Sequence, residues 1–345
     1  MRQKIQRFFM LFLAVLLCLS GCGKTAETKE NDIFFESGSQ PPSTEAGSTG
    51  FYYQKEGMLY TVSAATRKQT GLGQGRLLGA DQQYAYIRQE SKLRVMDGAK
   101  QAAEFDCSET IEYGFTDAGR AFFRADDRLY TLVLSTLEWR QYQTKNAVKG
   151  MTAAGDRLFY TRYAESGLDL LLCGYDLTTQ EEQILAAAGR SSTGSDVAYV
   201  DGRLYYATDT AFYCYEPVSG WAQPLLEAEQ AALTLDHTEN LAYVYYTKDA
   251  ERRLWVYDMA AQQQRSDERA AYSVQTNAFG ATFMQEDTCR FGSEGAGTSF
   301  EPFEVQSVCS FSGSPAGIIL STRPQNVYIA FKQPDGSYQT VRVAQ

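Results

Sequence analysis

Apolar positions fall into three regimes along this chain. Phe8 to Leu19 is an almost unbroken apolar run, preceded by Arg2, Lys4 and Arg7. Residues 23–50 are instead rich in Gly, Ser, Thr, Glu and Pro, with Ile33-Phe34-Phe35 as the one apolar exception. From Phe51 onward short runs of Leu, Val, Tyr and Phe alternate with turn-forming residues and show little helical periodicity. β-branched and aromatic runs bounded by Gly, Asp and Ser predict short strands.

The runs recur in a fixed order. One aromatic-rich set reads Tyr84–Arg88, Arg120–Arg124, Arg157–Thr161, Arg203–Ala207 and Leu241–Tyr246. A second follows as Leu93–Asp97, Leu171–Asp176, Phe212–Glu216 and Leu254–Asp258, and a third as Glu182–Leu185 or Ala222–Leu226. Asp-Gly at 97–98, 201–202 and 335–336 suits tight hairpin turns, where both residues tolerate positive φ. The residue closing the second run serves as a ruler: Ser63, Asp97, Ser135, Asp176, Glu216, Asp258 and Asp335. Successive members lie 34 to 42 residues apart, except the last interval of 77, which is nearly a double spacing with Gly295-Ala-Gly297 at its middle. Eight repeats of about 39 residues result. Several short strands per repeat predict a β-propeller of seven or eight blades. Each small sheet has two apolar faces and is stable only against its neighbours, and a ring exposes no terminal repeat.

The amino terminus predicts export. A positive n-region, an apolar run too short to span a bilayer comfortably and a small-residue exit are the parts of a signal peptide. Leu19-Ser20-Gly21-Cys22 resembles the lipobox of bacterial lipoproteins. That resemblance implies a diacylglyceryl group on the Cys22 sulfur, cleavage before Cys22 and acylation of the new amino terminus. The expected organisation is a signal peptide over 1–21, a lipidated Cys22 with a flexible tether over 22–50, and a propeller domain over 51–345. The tether composition buries too little apolar surface to fold alone, and Ile33–Phe35 is an early strand docking on the body. The aromatic and Tyr-Asp repeats behind a lipobox resemble bacterial lipoproteins with a DUF5050-type propeller, related in form to YWTD and TolB-like propellers. A strict Tyr-Trp-Thr-Asp box is missing; Tyr245-Tyr-Thr-Lys248 and Tyr160-Thr-Arg162 approximate it. The resemblance implies location and architecture and carries no catalytic residue.

Charge and chemistry narrow the function. The chain carries −10, and loss of residues 1–21 leaves −13. An acidic surface without a basic cluster is repelled by nucleic acid and by anionic headgroups, so the lipid does the anchoring. One histidine, His237, excludes multi-histidine zinc sites and reads as a solvated turn residue. Gly71-Leu-Gly-Gln-Gly75 and Gly23-Lys-Thr25 read as flexible backbone and not as phosphate loops. No Asp-x-Asp-x-Asp-Gly calcium loop occurs, and no metal or cofactor is expected. Cys107, Cys173, Cys214, Cys289 and Cys309 remain in the mature chain. They read as small apolar strand residues, with Cys289 and Cys309 the pair to test for a disulfide. Asp97, Asp176, Glu216, Asp258 and Asp335 recur at equivalent turns and read as hairpin fixtures. Trp221, Phe291, Phe300 and Phe303 lie in irregular stretches and are the candidate ligand contacts. The expectation is a non-enzymatic binding or scaffold module for a protein, peptide or glycan, held at the outer face of a cell membrane. The alternative is a secreted glycoside hydrolase or lyase using paired carboxylates in the funnel.

Overall fold

The computed structural model describes residues 44–46 and 50–344, apart from 166, 193–194, 271–272, 278–279, 286–287, 292–297, 301–307, 315–316, 323–325 and 336. The expected signal peptide, the lipobox residues Leu19, Ser20, Gly21 and Cys22, and Ile33–Phe35 lie outside the described residues. Among the described residues all regular structure is β. The described residues form 32 strands in eight four-stranded antiparallel sheets, each built from four consecutive strands in chain order. Among the described residues no helix is long and apolar enough to cross a membrane.

The sequence runs map onto these strands. The aromatic set becomes the second strand of each sheet, for example Arg157–Tyr163 and Arg203–Ala207, and the next set becomes the third, Asp169–Asp176 and Ala211–Glu216. The hairpin chemistry is local. Asp201 and Gly202 both take positive φ, 47° and 82°, the backbone that a right-twisted two-residue turn requires. At the third-to-fourth turn a side chain caps the chain reversal. Asp176 Oδ1 accepts the Thr178 and Thr179 N–H groups at 2.8 and 2.9 Å, and Asp258 Oδ1 accepts the Ala261 N–H at 2.8 Å. Asp335 and Ser63 accept the Ser337 and Thr66 N–H groups in the same way.

Two expectations are corrected. Thr44–Ala46, assigned to the tether, pairs with Gly50–Lys55 as the first strand of sheet 1. Sheet 1 therefore needs four strands' worth of chain and reaches back past residue 51. Gly71–Gly75, read as flexible, lies largely in the strand Gln69–Gln74, where Leu72 is buried. Pairing with Met58–Val62 supplies the order that composition alone did not suggest.

Burial runs between sheets. Tyr52 and Leu59 of sheet 1 cluster with Leu77, Ile87 and Met96 of sheet 2. Tyr86 and Val95 of sheet 2 cluster with Phe123 and Tyr130 of sheet 3, and Tyr205 and Phe212 of sheet 5 with Val244 and Trp255 of sheet 6. Phe51, Tyr53 and Val62 of sheet 1 also share a cluster with Ile319, Ile329 and Phe331 of sheet 8. There the Phe51 and Phe331 rings meet edge-on at 5.5 Å, and Arg67 Nη1 donates to Gln339 Oε1 at 2.7 Å. First strands of successive sheets lie side by side, and close approach there demands small residues. A Cβ on Gly79 would sit 2.5 Å from the Tyr113 ring.

Candidate functional site

The first strands of sheets 4 and 6, together with the segment before the first strand of sheet 5 and the end of its second strand, surround a cavity of about 240 Å³ lined by Lys149, Ser195, Asp196, Ala207, Ala231, Ala232 and Leu233. Two of its sides are shaped by local irregularities. The first strand of sheet 4, Val148–Ala154, shifts register between Val148 and Gly150. Lys149 is the unpaired extra residue, and such a bulge re-aims its side chain. The first strand of sheet 6, Glu229–Asp236, shifts between Glu229 and Ala232, with Gln230 at φ 54°. That second bulge brings Ala231 and Ala232 to the cavity wall. Gly150 permits a close approach of backbone to backbone: a Cβ there would lie 2.3 Å from Asp196 Cα and 2.4 Å from Ser195 O.

Hydrogen bonds fix the segment before the sheet 5 strand Val197–Val200. Ser195 Oγ donates to Asp196 O at 2.7 Å and accepts the Ala207 N–H at 2.8 Å. The Thr161 hydroxyl donates to Ser195 O and accepts the Gly150 N–H at 3.2 Å. Asp196 Oδ1 accepts the Val197 N–H at 2.9 Å. Ser195 is 6 % exposed and its hydroxyl is engaged twice by backbone, so it is a strut of the wall and not a poised nucleophile. The Lys149 ammonium stands 5.1 Å from the centre of the Tyr163 ring. Among the described residues neither Lys149 nor Asp196 is in an ion pair. The cavity lining thus combines one cation, one carboxylate and small or apolar residues on a surface more polar than apolar.

A buried charge pair supports this side of sheet 4. Arg162 and Glu182 side chains are 3 % and 6 % exposed and meet at 2.8 Å. Glu182 Oε2 accepts Arg162 Nε at 3.3 Å and also the Tyr160 hydroxyl. Arg162 Nη1 donates to Tyr163 O at 3.1 Å, where Asn146 Nδ2 donates as well. The pair therefore holds the backbone of the residue whose ring faces Lys149. Burial alone would raise the Glu182 carboxyl, but the Arg162 and Tyr160 hydrogen bonds outweigh it and hold the group below its ordinary range. Burial pushes the neighbouring Cys173 thiol up to about 12.

Away from the cavity, Asp81 is 2 % exposed and joins sheets 2 and 3. Its Oδ1 accepts the Gln83 and Tyr84 N–H groups at 2.7 and 2.8 Å. Its Oδ2 accepts the Thr116 hydroxyl at 2.8 Å and the Tyr86 hydroxyl. His237 is exposed in a turn, as its neighbours suggest, and its ring stacks 6.3 Å from Phe115 of sheet 3. Sheets 3 and 6 are not neighbours in sequence.

The aromatic candidates are not brought together. Trp221 is 59 % exposed on the fourth strand of sheet 5, Trp221–Glu227, and is not in the cavity lining. Phe291 and Phe300 belong to paired strands of sheet 7. Their side chains, like those of Cys289 and Cys309, lie outside the described residues, as does Phe303 altogether. Cys107, Cys173 and Cys214 are free thiols; Cys173 and Cys214 sit in strands, whereas Cys107 follows one. Sequence reasoning missed Lys149 and Asp196. The available signal was Val148-Lys-Gly150, a charge followed by glycine inside an otherwise apolar run.

No protein-family model and no curated protein matches the chain. Solved structures do. A eukaryotic initiation factor aligns over 90 % of this chain and 90 % of its own with a TM-score of 0.53 and 11 % identity. A chain of a mitotic checkpoint complex aligns over 88 % of this chain and 86 % of its own, with a TM-score of 0.49 and 8 % identity. At such identities the first of these likenesses speaks to the all-β fold alone.

Proposed function

We propose that the protein is a lipid-anchored, extracytoplasmic binding module whose eight sheets are the blades of a closed β-propeller. Closure is supported by the packing of sheet 8 on sheet 1 and by the Phe115–His237 contact between sheets 3 and 6, which a ring brings across its centre. The lipid anchor rests on the resemblance of Leu19–Cys22 to a lipobox. Two or more acyl chains hold a protein firmly, at about 0.8 kcal/mol per buried methylene.

The observation that carries the binding role is the cavity between sheets 4, 5 and 6. It is preorganised: two bulges, one obligatory glycine and a doubly bonded serine set its walls before any ligand arrives. It offers a single carboxylate, Asp196, with Lys149 on the same cavity wall. A glycosidase reading calls for two carboxyl groups about 5–10 Å apart, so this geometry favours recognition over hydrolysis. Loops and strand ends on a rigid scaffold are the usual carriers of recognition.

The test is photo-crosslinking from a probe at position 231, on the cavity lining, in the full-length protein in its own membranes, read by mass spectrometry. A reproducible adduct, lost when Ala232→Trp fills the cavity, is the expected result. Turnover of a glycan panel that disappears in Asp196→Asn would replace binding with catalysis. In the same preparation Cys22→Ala releases the protein or leaves its precursor uncleaved; unchanged membrane retention would remove the anchor.

A further inference from the structure

Both ionic groups of the cavity lack a partner of opposite sign among the described residues, although they share one small space. Lys149 rests on an aromatic face, and among the described residues the Asp196 carboxylate accepts only the Val197 N–H. Two oppositely charged groups that line one cavity, Lys149 half-buried and Asp196 exposed, without pairing with each other fit a ligand that brings both complements. The remaining lining residues are Ser195 and the small or apolar Ala207, Ala231, Ala232 and Leu233, whose exposed backbone keeps the lining more polar than apolar. No aromatic platform for a sugar ring is in the lining. The volume of about 240 Å³ is below the roughly 300–1,000 Å³ of sites for drug-sized ligands. It equals roughly eight waters at about 30 Å³ each, so one or two small residues fill it and a nucleotide does not.

Resting on the reading of this cavity as a binding site, we propose that it takes a zwitterionic short peptide of small apolar residues. The ligand's carboxylate lies on Lys149, its ammonium on Asp196, and its methyl side chains on the alanine wall. Charge-assisted hydrogen bonds to the two termini supply orientation. The size of the wall supplies selectivity, because a branched or aromatic side chain would displace Ala231 and Ala232 in a rigid scaffold.

Calorimetric titration of the full chain in detergent tests this with four probes: L-alanyl-L-alanine, its N-acetyl form, its C-terminal amide, and glucosamine. L-Alanyl-L-alanine binds, and each cap weakens binding by about tenfold or more. Lys149→Met binds the free dipeptide and its amide alike, and Asp196→Asn binds the free and acetylated forms alike. A purely structural role for either residue would lower affinity without erasing that discrimination. Equal binding of capped and free dipeptide, binding of glucosamine alone, or no binding of the dipeptide would overturn the proposal. The parent reading fails separately: if Ala232→Trp leaves the membrane crosslinks unchanged, the cavity is not a binding site. If Ala232→Trp abolishes the crosslinks while the dipeptide does not bind, only the ligand class is wrong.

Discussion

Replacing Glu182 by Gln should be among the most destabilising conservative changes in the molecule. The carboxylate is 6 % exposed, and its partner Arg162 is 3 % exposed. Gln keeps the shape but removes the charge that compensates a buried guanidinium. Breaking one partner of a buried pair costs about 3–5 kcal/mol. Lys145 lies 3.8 Å from the carboxylate and is 65 % exposed, so it loses little by turning to water. A folded unit of about 300 residues unfolds with roughly 2.1 cal/mol/K per residue, which turns that cost into a fall in Tm of about 5–8 °C. The pH dependence has a fixed sign. Glu182 is held below its unfolded pKa, so its stabilisation is complete above the ordinary glutamate value near 4.3. It is lost as pH falls through the lower folded value. Wild type and Glu182→Gln should therefore differ most at neutral pH and converge in acid. Arg162→Met with Glu182→Met should cost much less than the two single changes added together, because a buried pair contributes little net stability against apolar replacements. Scanning calorimetry at pH 7 and pH 3 reads all of this. A Glu182→Gln loss below about 1 kcal/mol, or a constant difference across that range, would refute the reasoning; the first of these is the size of an exposed pair.

Three further outcomes are expected. Asp81→Ala leaves the buried Tyr86 hydroxyl without its acceptor and uncouples Thr116 of sheet 3; a loss of about 2–3 kcal/mol in denaturant melts is expected, and an unchanged midpoint contradicts the inter-sheet role. Burial raises Cys173 to about 12 and Cys107 to about 11, so Cys173 should resist maleimide at pH 7 until the protein unfolds; peptide mapping that finds it labelled within minutes contradicts its burial. Deleting residues 23–43 should leave Tm nearly unchanged, whereas extending the deletion through Ala46 removes the first strand of sheet 1 and lowers it. Equal Tm values for the two deletions would show that this strand contributes nothing.

Legibility in the sequence followed side-chain size. Second and third strands announce themselves because large rings such as Tyr160, Phe212 and Trp255 fill the space between sheets. Their closing acids gave the period, because a capped turn needs an oxygen at one fixed place, as at Asp176 and Asp258. First strands were nearly silent. Their positions meet neighbouring backbone, so they carry Gly150, Ala153 or Ala231, residues that composition reads as loop. Thr44–Ala46 was hidden because three residues without a large apolar side chain, set in a Gly-, Ser- and Pro-rich stretch, carry no strand pattern. Two sides of the cavity come from such first strands, and Lys149 and the Ala231–Ala232 wall depend on bulges at Val148–Gly150 and Glu229–Ala232 that appear only once pairing partners are known. The exposed aromatic Trp221 drew attention by type, yet it stands on an outer strand where nothing converges on it.

The account stands on the first and last sheets meeting to close the ring that holds the cavity. A benzophenone amino acid at position 67 probes that junction, because Arg67 bonds to Gln339 at 2.7 Å and lies over the Phe331 ring at 4.9 Å. Irradiation of dilute protein followed by peptide mapping should give an intramolecular crosslink to the strand Asn326–Lys332 or Tyr338–Ala344. Crosslinks confined to sheet 1 itself, or formed only between separate molecules, would contradict closure.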